Sequence, residues 1–513
     1  MKEREERMSI KLKRLAAIFL ALIIEFAVIY LLFTIVHPYA AALETIMRVV
    51  SFFVVLYILE YYDEAAYKQL WLLTVLAVPL AGTILFVCFG RKRSGARIRR
   101  RLAVSESRLE PMITKGGTNE CREIAKTHER LAMTLEMVEK DSSYPVMVNE
   151  GVEYFPLGDE AYPAMLRELE AAERYIYCEY FVIAHGTMWD SIEEIMVRKA
   201  REGVTVRVMY DDFGSLATFA PREIPRLEGL GIQCVRFNPV KTFTGTENYR
   251  DHRKMLIIDG KTAFSGGINL ADEYINVRER FGHWKDTAFM IKGAPAGNFT
   301  HMFVEFWNAA SPEDKNIPPE EYEREAQSRS SCDGYVVSYC DSPLKKENVS
   351  NDFVIDLLYQ ATDYIYFTTP YLILGQSLQE ALMKAARRGV DVRIITPGIP
   401  DKKMIFKMTR SYYRQLTDAG VRIYEYTPGF IHAKTLVCDD AVATVGSVNL
   451  DYRSLFLNFE NNSIFVDSSI VPAVKEDIMQ TISLCKEQTA DDVKKGAAGL
   501  LLDALLRVVA PLC

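Results

Sequence analysis

The chain has few histidines and no patterned cysteines. Its 513 residues include seven histidines and nine cysteines, and no two cysteines fall into a CxxC pair or another metal-ligand spacing. That argues against a cysteine-bound metal centre. An odd, scattered set of thiols reads as buried or idle groups in a reducing compartment. A basic surplus is also missing from most of the sequence. Residues 1–101 carry 15 Lys and Arg against 8 Asp and Glu, and the whole chain sums to −7, so the remainder carries −14. Gripping a nucleic-acid backbone relies on surplus Lys and Arg, and an acidic body argues against it. The length allows more than one domain and a large core.

What the chain does have is apolar length at its start. Residues 15–36, LAAIFLALIIEFAVIYLLFTIV, hold one charge, Glu25, and residues 70–89, LWLLTVLAVPLAGTILFVCF, hold none. At about 1.5 Å per residue each can cross a hydrocarbon core of about 30 Å. Pro79 and Gly82 are compatible with a membrane helix. Residues 43–59 are weaker, being interrupted by Glu44 and Arg48, and read as a third span or as a re-entrant or surface segment. YAAA at 39–42 resembles a signal cleavage site, but the first run is long for a signal core and further apolar segments follow it. An anchor over 1–101 is the better reading. Six basic residues precede the first span and seven follow the last, in RKRSGARIRRR. Both clusters stay cytoplasmic, which requires an even number of crossings and places the body in the cytoplasm.

The body repeats itself. YIY at 175–177 recurs at 364–366, EGVTVRVMY at 202–210 as RGVDVRIIT at 388–396, and LGIQCVRFNP at 230–239 as AGVRIYEYTP at 419–428. Each half reads strand, helix, strand, helix, strand, then a motif. The alternation predicts an α/β fold of two pseudo-symmetric halves, each a mixed, mostly parallel sheet flanked by helices. The halves fall near 141–325 and 326–490. A linker covers 102–140, another charged one covers 311–330, and an amphipathic helix ends the chain at 491–513.

The motifs align without a gap. In DHRKMLIIDGKTAFSGGINLADE and GFIHAKTLVCDDAVATVGSVNLDYRS, His252 meets His432, Lys254 meets Lys434, Asp259 meets Asp439 and Asn269 meets Asn449. Each copy predicts a hairpin with Asp259-Gly260 or Asp439-Asp440 at the tip. A two-residue turn sets Lys254 opposite Ser265, His252 opposite Gly267 and His432 opposite Ser447. Gly267 then leaves room for a ligand. Asp259 lies roughly 23 Å along an extended strand from His252, too far to orient it, and holds the turn. A lysine on the histidine's face opposes metal binding. Paired histidines suit phosphoryl transfer, one attacking phosphorus and the other passing protons. The lysines and asparagines can stabilise phosphate oxygens.

With these motifs the chain resembles the phospholipase D superfamily, and within it the bacterial cardiolipin synthases. The resemblance extends to NYRDHRK, GHWKD, TTPYLI and GSVNLDYRS…NFE, and to the apolar head. It implies that two phosphatidylglycerol molecules give cardiolipin and glycerol at a bacterial cell membrane, without metal or other cofactor, through a phosphatidyl-histidine. His252, Lys254, Asp259, His432, Lys434 and Asp439 are then the catalytic set, with His252 the nucleophile and His432 the acid/base. Asn269, Asn449, Gly267 and Ser447 support the phosphate. Each histidine is oriented by an acidic residue downstream, at the matching positions Asp286 and Glu460. Gly267 stands where the wider superfamily more often has Ser. The lipid bilayer is a partner and nucleic acid is not. A hydrolase with the same site, an anchored nuclease and a non-enzymatic scaffold are the rival readings. The motifs do not separate transfer from hydrolysis. In the tail, Leu501, Leu505, Val508 and Leu512 share a helical face that packs on the body or meets the membrane surface.

Overall fold

The computed structural model describes residues 23–31, 37–61, 65–90, 96–109, 118–240, 248–318, 321 and 332–512. It divides into two compact units, Met1–Ser94 with Lys241–Thr246, and Gly95–Val240 with Glu247–Cys513.

In the first unit, the weakest of the three apolar segments lies in the 25-residue helix His37–Tyr61. Glu44 and Arg48, which interrupt its apolar run, pair with each other across one turn at 2.6 Å. The stretch expected to span as one helix over 70–89 is broken. Ala65–Ala77 ends, a new helix Pro79–Leu85 begins, and a π-helical turn, Phe86–Gly90, follows. Pro79 is the cause, since it has no N–H to donate and its ring crowds the preceding turn. Gly82 permits the bend, because a β-carbon there would strike the Thr74 carbonyl. The span expected at 15–36 lies outside the described residues except at 23–31. Among the described residues no helix is long and apolar enough to cross a membrane. Ile58, Trp71, Val75 and Phe86 form a small core, while Phe52, Phe53, Leu73 and Leu76 point outward.

The second unit holds both halves. In the first, Tyr175–Tyr180, Thr205–Asp211 and Gln233–Phe237 run parallel, linked by helices Thr187–Arg201 and Glu223–Gly229. Every residue of Tyr175–Tyr180 is buried, as expected of a strand covered on both faces. The motif hairpin, Lys254–Ile258 and Thr262–Gly266, joins this group antiparallel, followed by Ala288–Lys292 and Val152–Phe155. The second half repeats the plan. Tyr364–Thr368, Asp391–Pro397 and Arg422–Tyr426 are parallel, and Thr435–Cys438, Val442–Gly446, Asn458–Val466 and Tyr335–Asp341 are antiparallel. The sheets are mixed, but their majority is antiparallel and not parallel as expected. A motif that folds as a hairpin must enter the sheet antiparallel, and the next strand returns beside it.

One of the two segments expected as linkers differs from that reading. Residues 102–140 are largely helical, in Ala96–Leu109, Thr118–Ala125 and Glu129–Ser142. The last buries Leu131, Leu135 and Val138, a helical period that marks a packed face. Most of 311–330 lies outside the described residues. The chain ends in the helix Ala497–Val509.

Candidate active site

Each motif begins as a turn held from outside. Asp259 and Gly260 are both left-handed (φ 55° and 69°), and Lys261 N–H donates to the Ile258 carbonyl, as in a primed hairpin turn. The ladder pairs Met255 with Ser265 and Ile258 with Thr262, one residue out of the expected register. Lys261 is the extra residue, and the second motif has the same offset, with Thr435 facing Val445. Ser265 still reaches Lys254, donating its hydroxyl to that carbonyl at 2.9 Å.

Asp259 and Asp439, placed with the catalytic set by the motif, serve another purpose. The Asp259 carboxylate accepts the backbone N–H groups of Glu173, Arg174 and Tyr175 at 2.7–2.9 Å. Asp439 does the same for Thr362, Asp363 and Tyr364 at 2.7–3.0 Å. Each carboxylate fastens the hairpin tip to the entry of the neighbouring strand.

The histidines sit where the chain leaves its own sheet for the other half. Arg250–Asp251 pairs parallel with Asn458–Phe459, and His252 N–H donates to the Phe459 carbonyl at 2.9 Å. The next residue on that strand is Glu460. Gly429–Ile431 pairs parallel with His283–Lys285, and His432 N–H donates to the Lys285 carbonyl at 2.6 Å. The next residue there is Asp286. The orienting carboxylates are therefore exchanged between halves. His252 Nδ1–H donates to Glu460, 2.8 Å from Oε2 and 3.0 Å from Oε1, and His432 Nδ1–H donates to Asp286 Oδ2 at 2.6 Å. Both bonds select the same tautomer, which leaves Nε2 for chemistry.

Lys254 and Lys434 donate to the carbonyls of His252 and His432. Lys434 Nζ also lies 2.8 Å from His432 Nδ1. That nitrogen cannot accept from the ammonium while it donates to Asp286, and the shorter carboxylate bond prevails. The centre is almost closed to solvent, with each histidine and lysine under a tenth exposed. Burial, reinforced by the two lysines, holds both histidines well below their ordinary range. Burial also lowers Lys254 to about 7 and Lys434 to about 8, and raises Asp286 and Glu460 to about 7.

The supporting residues differ between halves. Ser447 donates its hydroxyl to Glu460 Oε2 at 2.5 Å. Gly267, at the matching place, makes room for a carboxylate and not for a ligand: a β-carbon there would collide with Asp286 Oδ1. Asn269 has its side-chain oxygen on Val182 N–H at 3.0 Å and one amide hydrogen on the Tyr274 hydroxyl at 2.7 Å. Only its second amide hydrogen remains for a phosphate. Asn449 is buried, and its side-chain oxygen has no hydrogen-bond partner among the described residues.

Sequence reasoning missed a layer of charge beneath His252. Arg253 is fully buried, 2.5 Å from Glu179 and 3.0 Å from Asp251, with its guanidinium 3.3 Å from the centre of the Phe306 ring. Arg250 bonds Asp211 Oδ2 at 2.9 Å, and Asp251 N–H donates to the same oxygen. The charged run RDHRK was the available signal. Aromatic rings surround the histidines: Phe181 at 4.9 Å from His252, and Tyr274, Trp284 and Phe430 at 5.5–5.8 Å from His432. No group of three or more His, Cys, Asp or Glu among the described residues could hold a metal ion.

Comparison with known proteins agrees with this geometry. The family model described as "Cardiolipin synthase, PLD-like domain" matches residues 165–299 and 354–482, once in each half. An uncharacterized protein of Streptococcus mutans is 41% identical over 444 residues, covering 86% of this chain and 95% of its own. A cardiolipin synthase of Alkalihalophilus pseudofirmus is 32% identical over 410 residues, covering 79% of this chain and 81% of its own. Among solved structures, the phosphatidylserine synthase of Haemophilus influenzae superposes with a TM-score of 0.56 at 16% identity, covering 74% of this chain and all of its own. At that identity the likeness is one of fold. Two motif-bearing halves with exchanged carboxylates, a family model matching both, and relatives aligned over most of the chain lead to one conclusion: this chain belongs to the cardiolipin synthase family of phospholipase D-like enzymes.

Proposed function

We propose that the chain joins two phosphatidylglycerol molecules into cardiolipin and glycerol through a phosphatidyl-histidine. The observation that carries this is the pair of histidines held on one tautomer by carboxylates from opposite halves. Neither half alone provides a working pair. His252 is gripped by both oxygens of Glu460, which makes its imidazole the fixed, electron-rich one and favours it as nucleophile.

Nε2 of His252 attacks phosphorus and the bond to the glycerol oxygen breaks. His432, protonated on Nε2, gives its proton to that oxygen, and glycerol departs. A phosphodiester anion in the site offsets the burial and the lysine charges that depress the histidines, so that one of them can carry the proton. The terminal hydroxyl of the second lipid then yields its proton to His432 as its oxygen displaces His252 from phosphorus. Lys254 and Lys434 stabilise the equatorial oxygens. The aromatic walls and the low exposure limit water, which favours a lipid alcohol as acceptor.

A bacterial cell membrane is the proposed location, with the body on the cytoplasmic side. The apolar runs at 15–36 and 70–89, the basic clusters around them and the outward Phe52, Phe53 and Leu76 support it. Protease cleavage of the body in inverted vesicles, and its protection in intact cells, is the expected pattern.

The test is product analysis of the full chain on phosphatidylglycerol with EDTA present, beside His252→Ala and His432→Ala. Cardiolipin and glycerol from the unmodified protein alone is the expected result. Phosphatidic acid without cardiolipin identifies a hydrolase and overturns the transfer reading.

A further inference from the structure

The helix Ala497–Val509 is built inside out. Its polar residues face the body: Asp503 is buried in a 2.8 Å pair with Lys495, and Arg507 donates to the Ser411 carbonyl and, at 2.8 Å, to Gln415. Leu506 packs inward beside them, but most of the helix's apolar residues face away. Leu501 is 64% exposed, Leu505 59%, Leu502 50% and Val508 41%. A surface helix in water shows the reverse pattern, so this one is made for an apolar surrounding.

Its neighbour, the helix Lys403–Asp418, supplies charge beside that face. Lys403, Lys407, Arg410 and Arg414 are exposed at spacings of four, three and four residues, which forms one basic stripe. Glu425 pairs with Arg410 at 2.8 Å and Asp418 lies 3.7 Å from Arg414, so Lys403 and Lys407 carry most of its charge. Met404, 61% exposed, stands among them at the helix start. The same helix start leads to the reaction centre. Tyr371 donates to Asp401 at 2.7 Å, its ring lies 6.4 Å from Phe430, and Phe430 lies 5.8 Å from His432.

We propose that these two helices form an interfacial platform that seats the catalytic body on an anionic lipid surface beside its active site. Apolar side chains flanked by lysines are what a monolayer of acidic headgroups recognises, the leucines entering the acyl boundary and the stripe meeting phosphate. A second copy of the chain would bring two basic stripes together, which charge opposes. The proposal rests on the phosphatidylglycerol reading for its choice of lipid. Whether the platform docks is independent of turnover.

The test uses the full chain reconstituted in vesicles of phosphatidylglycerol and phosphatidylcholine, with Leu505→Trp as reporter. Lipids brominated near the headgroup should quench the added indole, and Lys403→Glu with Lys407→Glu should reduce the quenching. Leu501→Glu with Leu505→Glu should lower turnover of bilayer phosphatidylglycerol by about tenfold or more, yet leave turnover of monomeric short-chain phosphatidylglycerol unchanged. An unquenched indole overturns the proposal. So does a doubled mass by light scattering that Leu501→Glu with Leu505→Glu abolishes, which would assign the face to a second copy. Quenching without any cardiolipin formation would keep the platform and reject the reaction.

Discussion

His252 donates to Glu460 across the boundary between the halves, 208 residues away in the chain and 2.8 Å away in space. Its counterpart, His432 with Asp286, spans 146 residues in the opposite direction. A mutation in one half should therefore disable the histidine of the other. Glu460→Gln should slow attack by His252 by about 10–100-fold. Asp286→Asn should spare attack on a phosphodiester with a good leaving group, because such a group needs no proton from His432. Trapping of the covalent phosphatidyl-enzyme by mass spectrometry checks this, and an adduct that survives Glu460→Gln but not Asp286→Asn would reverse the assignment.

Gly267 and Ser447 occupy one place in the two motifs but meet their carboxylates differently. Gly267→Ser should push on Asp286 and cost about 1–3 kcal/mol through overpacking, together with activity. Ser447→Ala should cost about 1.5–3 kcal/mol by removing a bond to a charged partner. Thermal unfolding of both variants gives the comparison. A stable, active Gly267→Ser protein would show that the first half tolerates the commoner residue.

Asp259 and Asp439 should act on stability and not on chemistry. Each accepts three backbone N–H groups, so Asp259→Ala leaves the buried Tyr175 donor unmet, with those of Glu173 and Arg174 nearer solvent, and should lower stability by about 1–3 kcal/mol for each donor that finds no water. The specific activity of the folded fraction should stay close to that of the parent. Unfolding curves beside an active-site count separate the two effects.

The charge layer under His252 predicts a larger loss. Arg253→Ala strands Glu179, which is fully buried, and breaking such a pair costs about 3–5 kcal/mol. Denaturant midpoints should shift accordingly, and a change below about 1 kcal/mol would mean that the pair contributes little.

The pH dependence of kcat/KM should be a narrow bell. Below about 7 the buried carboxylates Asp286 and Glu460 take up protons and no longer hold the histidine tautomers, so activity falls toward acid. Above 7 to 8, Lys254 and Lys434 lose the charge that meets phosphate, so activity falls toward alkali. Arginine keeps its charge throughout. Lys254→Arg should lower the maximum and move the alkaline limb to higher pH, while an unchanged limb would assign it to another group.

Much of this protein could be read from its residues. The paired His-x-Lys motifs and the duplication lie in local patterns, where spacing alone reports chemistry, whereas Asp286 and Glu460 are marked only by the family resemblance. The 3.6-residue period of Leu131, Leu135 and Val138 is equally present, but nothing near it in the sequence marks the surface it packs on. The one-residue register offset escaped because turn length is set by backbone geometry at Asp259 and Gly260, not by hydrophobic pattern.

The amino-acid order by itself determined which reactive groups the site can offer, since imidazole, ammonium and carboxylate have their properties wherever they stand. Which carboxylate serves which histidine was decided only by tertiary structure. The short parallel pairings of Arg250–Asp251 with Asn458–Phe459 and of Gly429–Ile431 with His283–Lys285 carry each histidine into the opposite half. The reason is physical: a strand's neighbour depends on free backbone donors and acceptors at a sheet edge, and those arise only when both halves have folded together.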